Sequence, residues 1–298
     1  MNAARQLGEV CGTRIAGTSV LVGTWFLVAL AGVLATGPQA HGSNYELDLH
    51  LHSEEIDPPE TGADTALLPV VAAAKTTRPI SSVYDFTGAT PGGALWLLPK
   101  NQNPSVLFLS VGTEEIAPSD LAGPLTWALT SVTGSGGGVA PGVFSVWNVD
   151  NFATVIPLMS TAAGAGTPNT FNVSAGTHTH FNYGFTAPGL YNVEFSVSAP
   201  LSAALGGGSA VGSATYSFGV FDTGSDYTYP TSLPWTYQGQ SYSVALVGNE
   251  HIDMGVGLVA VPEPSTAALA ALGGVSLLGI GLRRRRRQPR QPGFFSGC

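Results

Sequence analysis

From Tyr45 to Glu54 the chain alternates without a break. Tyr45, Leu47, Leu49 and Leu51 fall in one phase, and Glu46, Asp48, His50, His52 and Glu54 in the other. A period of two residues predicts a strand with a buried aliphatic face and a solvent face of imidazoles set between carboxylates. Asp57-Pro58-Pro59-Glu60 predicts its end, because proline cannot donate to a ladder. The same signature returns from Gly176 to Ala199. His178, His180 and Asn182 share one phase, Ala187-Pro188-Gly189-Leu190 supplies turn residues, and Tyr191, Val193, Phe195 and Val197 alternate with polar partners. This stretch reads as a β-hairpin carrying a paired-imidazole face.

Shorter β-like runs lie at Ala94 to Leu98, Pro104 to Gly112, Leu125 to Thr133, Gly142 to Asp150 and Ala214 to Val220. The third and fourth, joined by the glycine-rich stretch Gly134 to Gly138, suggest a second hairpin. Thr61 to Ile80 is apolar without a clear period and reads as a loop with one short helix. Asp222 to Gln240, rich in Tyr, Thr, Ser and Pro, reads as a loop, and Tyr242 to Ala260 as a last hairpin or a stalk. Short strands between Gly/Pro/Asn turns, with no long amphipathic helix, predict an all-β body, an antiparallel β-sandwich of Ig-like or jelly-roll-like type.

Composition sharpens this picture. Of 298 residues only 10% are charged and 39 are glycine, which argues against a helical bundle. The net charge of −8 is unevenly spread: 6 of the 11 basic residues lie between Arg283 and Arg290. Between Thr36 and Ala260 only Lys75, Arg78 and Lys100 stand against 17 acidic residues. So acidic a body disfavours nucleic acid and anionic membrane as partners. The two cysteines, Cys11 and Cys298, sit near the two ends, so no disulfide framework or thiolate metal site is implied for the body.

Both ends carry sorting signals. Arg5 and Arg14, the apolar run Val20 to Ala35, and small residues suited to cleavage after Ala35 or Ala40 read as a Sec signal peptide over residues 1–40, removed by signal peptidase. At the other end Val261-Pro262-Glu263-Pro264 leads into the apolar segment Ala267 to Leu282 and then the arginines Arg283 to Arg287. That segment is at the short limit for a single transmembrane helix, and the arginines hold its end in the cytoplasm by the positive-inside rule. The order of proline-glutamate-proline, span and arginine cluster resembles the PEP-CTERM sorting signal. The resemblance implies cutting by an exosortase near Pro262, Glu263 and Pro264, with Arg283 opening the stop signal. It also implies transient anchoring in the inner membrane, then release to the cell surface or the extracellular polysaccharide matrix. The expected organisation is signal peptide 1–40, β-sandwich 41–220, linker or terminal hairpin 221–260, sorting signal 261–288 and tail 289–298.

The body resembles the choice-of-anchor M domain of bacterial surface proteins. The match rests on Leu47 to His52, Trp96-Leu97-Leu98-Pro99, Gln102-Asn103-Pro104, Leu107-Phe108-Leu109, Gly112-Thr113-Glu114 and Gly176 to His180, then Asn182 to Thr186, Pro188-Gly189 and Tyr191. It departs at Asn182-Tyr183, where an Asn-Trp pair is usual. Members of that family carry varied anchors and some lie beside metal transporters. The resemblance to its zinc-regulated PEP-CTERM branch implies a link to zinc supply.

The chain has six histidines, and His50, His52, His178 and His180 form two His-x-His pairs. On a strand such a pair presents two donors on one face, and imidazole with carboxylate suits zinc or another divalent metal. Adjacent histidine strands would offer four nitrogens, with Asp48 and Glu54 orienting the rings. His251 with Asp253 is a weaker signal. Exposed polar residues on the solvent face of a sandwich are the plain alternative. Glu114-Glu115 reads as a solvated pair, because adjacent strand residues face opposite ways. Gly255 to Ala260 fits a loose dinucleotide pattern without the βαβ unit it needs, and no Gly-x-Ser-x-Gly is present. The expected function is therefore a non-catalytic, surface-anchored metal-binding protein, with a metal transporter or extracellular polysaccharide as candidate partners. The alternatives are a structural or adhesive matrix component and, more remotely, a metal-dependent hydrolase.

Overall fold

The structure is a computed structural model and describes residues 44–53 and 59–261. The signal peptide, Glu54, the residues Pro262, Glu263, Pro264 and Arg283, and the tail lie outside the described residues. In chain order the strands are β1 (Tyr45–His52), β2 (Glu60–Gly62), β3 (Leu67–Val70), β4 (Lys75–Thr77), β5 (Ala94–Leu98) and β6 (Phe108–Gly112). They continue with β7 (Leu125–Thr133), β8 (Phe144–Val149), β9 (Val155–Ser160), β10 (Thr170–Val173), β11 (His178–His180) and β12 (Asn182–Phe185). The last are β13 (Gly189–Pro200), β14 (Ser209–Val220), β15 (Trp235–Tyr237), β16 (Gln240–Tyr242) and β17 (His251–Ala260). Helical structure among the described residues is limited to 3₁₀ turns of three to six residues. No described helix is long and apolar enough to cross a membrane.

The all-β expectation holds. Three five-stranded sheets form, in the orders β11-β6-β17-β1-β2, β10-β7-β13-β14-β3 and β4-β5-β12-β8-β9, with β15-β16 as a separate ribbon. Period-two alternation directs Tyr191, Val193, Phe195 and Val197 of β13 and Tyr216 and Phe218 of β14 into one core. Phe144 of β8 is fully buried there, with its ring 5.4 Å from Phe185, 6.3 Å from Phe195 and 6.1 Å from Phe218. These contacts pack the third sheet on the second. The first sheet meets the same second sheet through β1: a Cβ on Gly212 of β14 would lie 2.1 Å from the Leu47 carbonyl oxygen, so only glycine permits this approach. Beside it the Tyr216 hydroxyl reaches the His50 carbonyl. Each fully buried aromatic contributes about 1.5–3 kcal/mol relative to exposure.

Several local expectations are corrected. The stretch from Gly176 to Ala199 is not a hairpin. β12 pairs with β5 and β8, whereas β13 pairs with β7 and β14, so the chain changes sheets at the Pro188-Gly189 corner. The corner is fixed from inside. Tyr191 donates its hydroxyl to the Ala187 carbonyl at 2.8 Å, and its ring meets Phe185 edge-on at 5.1 Å. Two aromatics on either side of the turn both seek the core, which joins two layers and not two neighbours in one ladder. β7 and β8 likewise do not pair with each other but lie in different sheets. The first and second sheets are mixed, since β6 pairs with β17 and β3 with β14 in parallel, whereas the third is antiparallel throughout as expected. Thr61 to Ile80 holds the one short helix expected of it, a 3₁₀ turn at Ala72–Ala74, but also most of β2 and all of β3 and β4, strands too short to show a period. β17 takes a place inside the first sheet, between β6 and β1.

Candidate metal centre

The register of the first sheet sets the site. Reading across it from β11 to β2, one row of facing residues is His178, Gly112, Gly255, His50 and Gly62. The next row is His180, Ser110, Asp253, His52 and Glu60. Residues level across a sheet share a face, so both histidine pairs, Asp253 and Glu60 lie on one surface. The opposite face is core: Leu47, Leu49 and Leu51 of β1, Leu109 and Val111 of β6, and Ile252, Met254 and Val256 of β17 are buried.

The two pairs do not converge on one point. β6 and β17 stand between β11 and β1, which separates them by three strand spacings, roughly 14 Å. Instead His178 and His180 meet His251, which β17 delivers opposite Phe108. The His178 Nε2 lies 3.0 Å from His180 Nε2 and 3.2 Å from His251 Nε2. Nitrogens bound to one tetrahedral zinc at the usual bond length stand about 3.3 Å apart. Both of these separations are within a few tenths of an ångström of that spacing, and ligand atoms of all three residues lie within 4.8 Å of one another.

The partners of the other ring nitrogens fix the tautomers. His180 Nδ1 lies 3.1 Å from the Leu109 carbonyl, and His178 Nδ1 lies 3.0 Å from Glu114 Oε1. Both oxygens accept, so each Nδ1 donates, and in the tautomer this selects Nε2 is the nitrogen left to ligate. The two Nε2 atoms then face each other at 3.0 Å, where a shared cation can be held by both. A Nδ1–H held by a carboxylate or a carbonyl is the outer-shell support that orients histidine ligands. Phe108 stacks on His180 with ring centroids 3.8 Å apart and lies 5.1 Å from His251, which locks both ring planes.

At His180 burial favours the same species. Burial pushes the His180 pKa below its ordinary value; the Leu109 carbonyl opposes this in part, and the neighbouring His178 and His251 add to it. The neutral, ligating ring is thereby favoured. Asp253 Oδ1 lies 3.3 Å from His251 Nε2 and 3.7 Å from His178 Nδ1, and it accepts from the Ser110 hydroxyl. Its charge faces the nitrogens from a position only 17% exposed. Lys75, Arg78 and Lys100 are committed elsewhere, to Asp222, Asp85 and Asn148 respectively, so no lysine or arginine among the described residues neutralises this surface.

Of the residues singled out by pattern, His178 and His180 lie in this cluster. His50 lies in another, and His52 lines the groove between the two, which has a volume of about 340 Å³ and is bounded also by Gly112, Glu114, Glu115, Asp253 and Gly255. Asn182 leaves the histidine face altogether; it is buried and its side-chain oxygen accepts from the Lys100 backbone N–H at 3.1 Å. The alternation rule failed at Glu114-Glu115 because these residues sit in the turn after β6, not on a strand, and both carboxylates serve the same face. His251 was undervalued by pattern because its partners lie 73 residues away and are reached through a parallel pairing. The His251-x-Asp253 alternation was its one local signal. Trp96, Trp127 and Trp147 are buried, and Trp235 is partly buried against a second small core.

The described residues thus define an all-β body with one histidine- and carboxylate-bearing sheet face. The family model for the PEP-CTERM protein-sorting motif matches residues 260–286, beginning at the last residue of β17. That motif implies export, processing by an exosortase and anchoring at the cell surface. None of the curated proteins matches the chain.

Proposed function

We propose that this chain is a non-catalytic β-sandwich protein of the cell surface that binds zinc, or a related divalent metal, through His178, His180 and His251. The observation that carries this reading is the convergence of three imidazole Nε2 atoms, two with their tautomers set by outer partners. Three nitrogen donors leave a fourth position for water or for Asp253, and partial exposure of the rings lets an ion exchange with solvent. Capture or buffering of zinc is the role such a site suits. The resemblance of the body to the choice-of-anchor M domain and its zinc-regulated branch points the same way, and a metal transporter is the matching partner. Export by the Sec route, signal peptidase cleavage and a transient inner-membrane anchor complete the path that the sorting motif ends.

A bridged two-metal hydrolase is disfavoured by distance. Such centres need ions about 3.5–4 Å apart, far less than the spacing between the two histidine pairs. Zinc titration by calorimetry on the full chain, beside the His178→Ala/His180→Ala variant, tests the proposal. The expected result is a tight, stoichiometric phase in the natural chain that the variant loses. A tight phase that survives in the variant, or no heat in either protein, overturns it. Chelator-indifferent binding to extracellular polysaccharide in a chain that takes no zinc would mark a matrix component instead.

A further inference from the structure

The same sheet face carries a second cluster. His50 is 6% exposed, and its Nε2 lies 2.9 Å from Glu115 Oε1. Ligand atoms of His50, Glu115 and Glu60 all lie within 4.8 Å of one another, which brings two carboxylates together beside one buried imidazole. Like charges at that range repel, and the lysines and arginine of the body are all engaged elsewhere.

The backbone has been cleared for this arrangement. His50 faces Gly255 on β17 and Gly62 on β2. A Cβ on Gly255 would stand 2.4 Å from His50 Nε2, and one on Gly257 would stand 2.9 Å from Glu115 Oε2. Both glycines have ordinary backbone angles, so turn geometry does not require them. What they provide is floor space, into which the imidazole and the carboxylate lean. Glu114 and Glu115, consecutive in one turn, divide between the clusters: Glu114 holds His178, and Glu115 faces His50.

We infer that His50, Glu60 and Glu115 form a second divalent-cation site, separate from the three-histidine centre and weaker for zinc. One nitrogen and two carboxylates make a harder donor set, suited to zinc and to manganese, whereas three imidazoles favour zinc. The protein therefore takes two ions per chain, side by side across a groove, with the Glu114-Glu115 turn supporting both. This inference concerns other residues than the proposed zinc centre and can fail without it.

The experiment is zinc titration of the full chain by calorimetry, with Glu115→Gln, Glu60→Gln and His178→Ala/His251→Ala variants, each checked for native circular dichroism. The natural chain is expected to take two zinc ions in distinct phases. Either glutamine variant should keep the tight phase and weaken the second at least tenfold. The histidine variant should keep only the weaker phase. The two glutamates are exposed enough for substitution without loss of folding, which the buried His50 is not. A single ion in the natural chain, or a second phase unchanged in both glutamine variants, overturns the inference. Loss of the tight phase alone in the histidine variant bears only on the zinc centre.

Discussion

His251→Ala is expected to weaken tight zinc binding by more than about a hundredfold, the upper end of what loss of an outer-shell partner costs. His251 supplies one of three converging nitrogens, and its removal leaves a two-imidazole pair at the rim of a sheet. The substitution is a mild one structurally. The side chain is 41% exposed and β17 stays anchored through Ile252, Met254 and Val256. His52→Ala is the matched comparison, since His52 lies on the same face in neither cluster and its loss should change the tight phase less than tenfold. Calorimetry on both variants reads the difference. Equal effects of the two substitutions would mean that the face attracts zinc by general charge and not by a defined centre.

Zinc should also raise the melting temperature. An ion that binds only the folded state at a free concentration a hundred times its dissociation constant stabilises by about 2.7 kcal/mol. For a body of this size each kcal/mol moves the midpoint by about 2–4 °C, so a rise of roughly 5–11 °C is expected. The three ligands come from β11 and β17, which meet only through β6, so the ion clips the edge strand to the middle strand of one sheet, two segments distant in sequence. Chelator should reverse the shift, and His178→Ala/His180→Ala should abolish most of it. Identical melting curves with and without zinc in the natural chain would sink this account of the site.

Particular residues show how far sequence carries such an argument. The phase of β1 was legible from alternation alone, since Leu47, Leu49 and Leu51 are buried and His50 and His52 share the other side, but His50, expected at solvent, is itself buried against Glu115. The pairing of His178 with His180 was legible for the same reason. Which histidines meet was not, because that depends on strand order and register. Insertion of β6 and β17 between the two pairs separates them, and the parallel register of β17 on β6 brings in His251. Alternation has no information about a partner strand. The Pro188-Gly189 corner misled in a related way. Turn residues say that the chain reverses, but the inward aromatics Phe185 and Tyr191 decide that it reverses between layers. Glu114-Glu115 shows the converse error, a strand rule applied to two residues that stand in a turn.

Zinc K-edge X-ray absorption on the full chain loaded with one equivalent of zinc tests the central claim most directly. The account predicts three histidine nitrogens at about 2.0–2.1 Å with one oxygen completing four-coordination. In His251→Ala the imidazole signal should fall by one ring or the bound zinc should be lost. A first shell made of oxygens alone, or a histidine count untouched by that substitution, would contradict a three-histidine centre on this sheet.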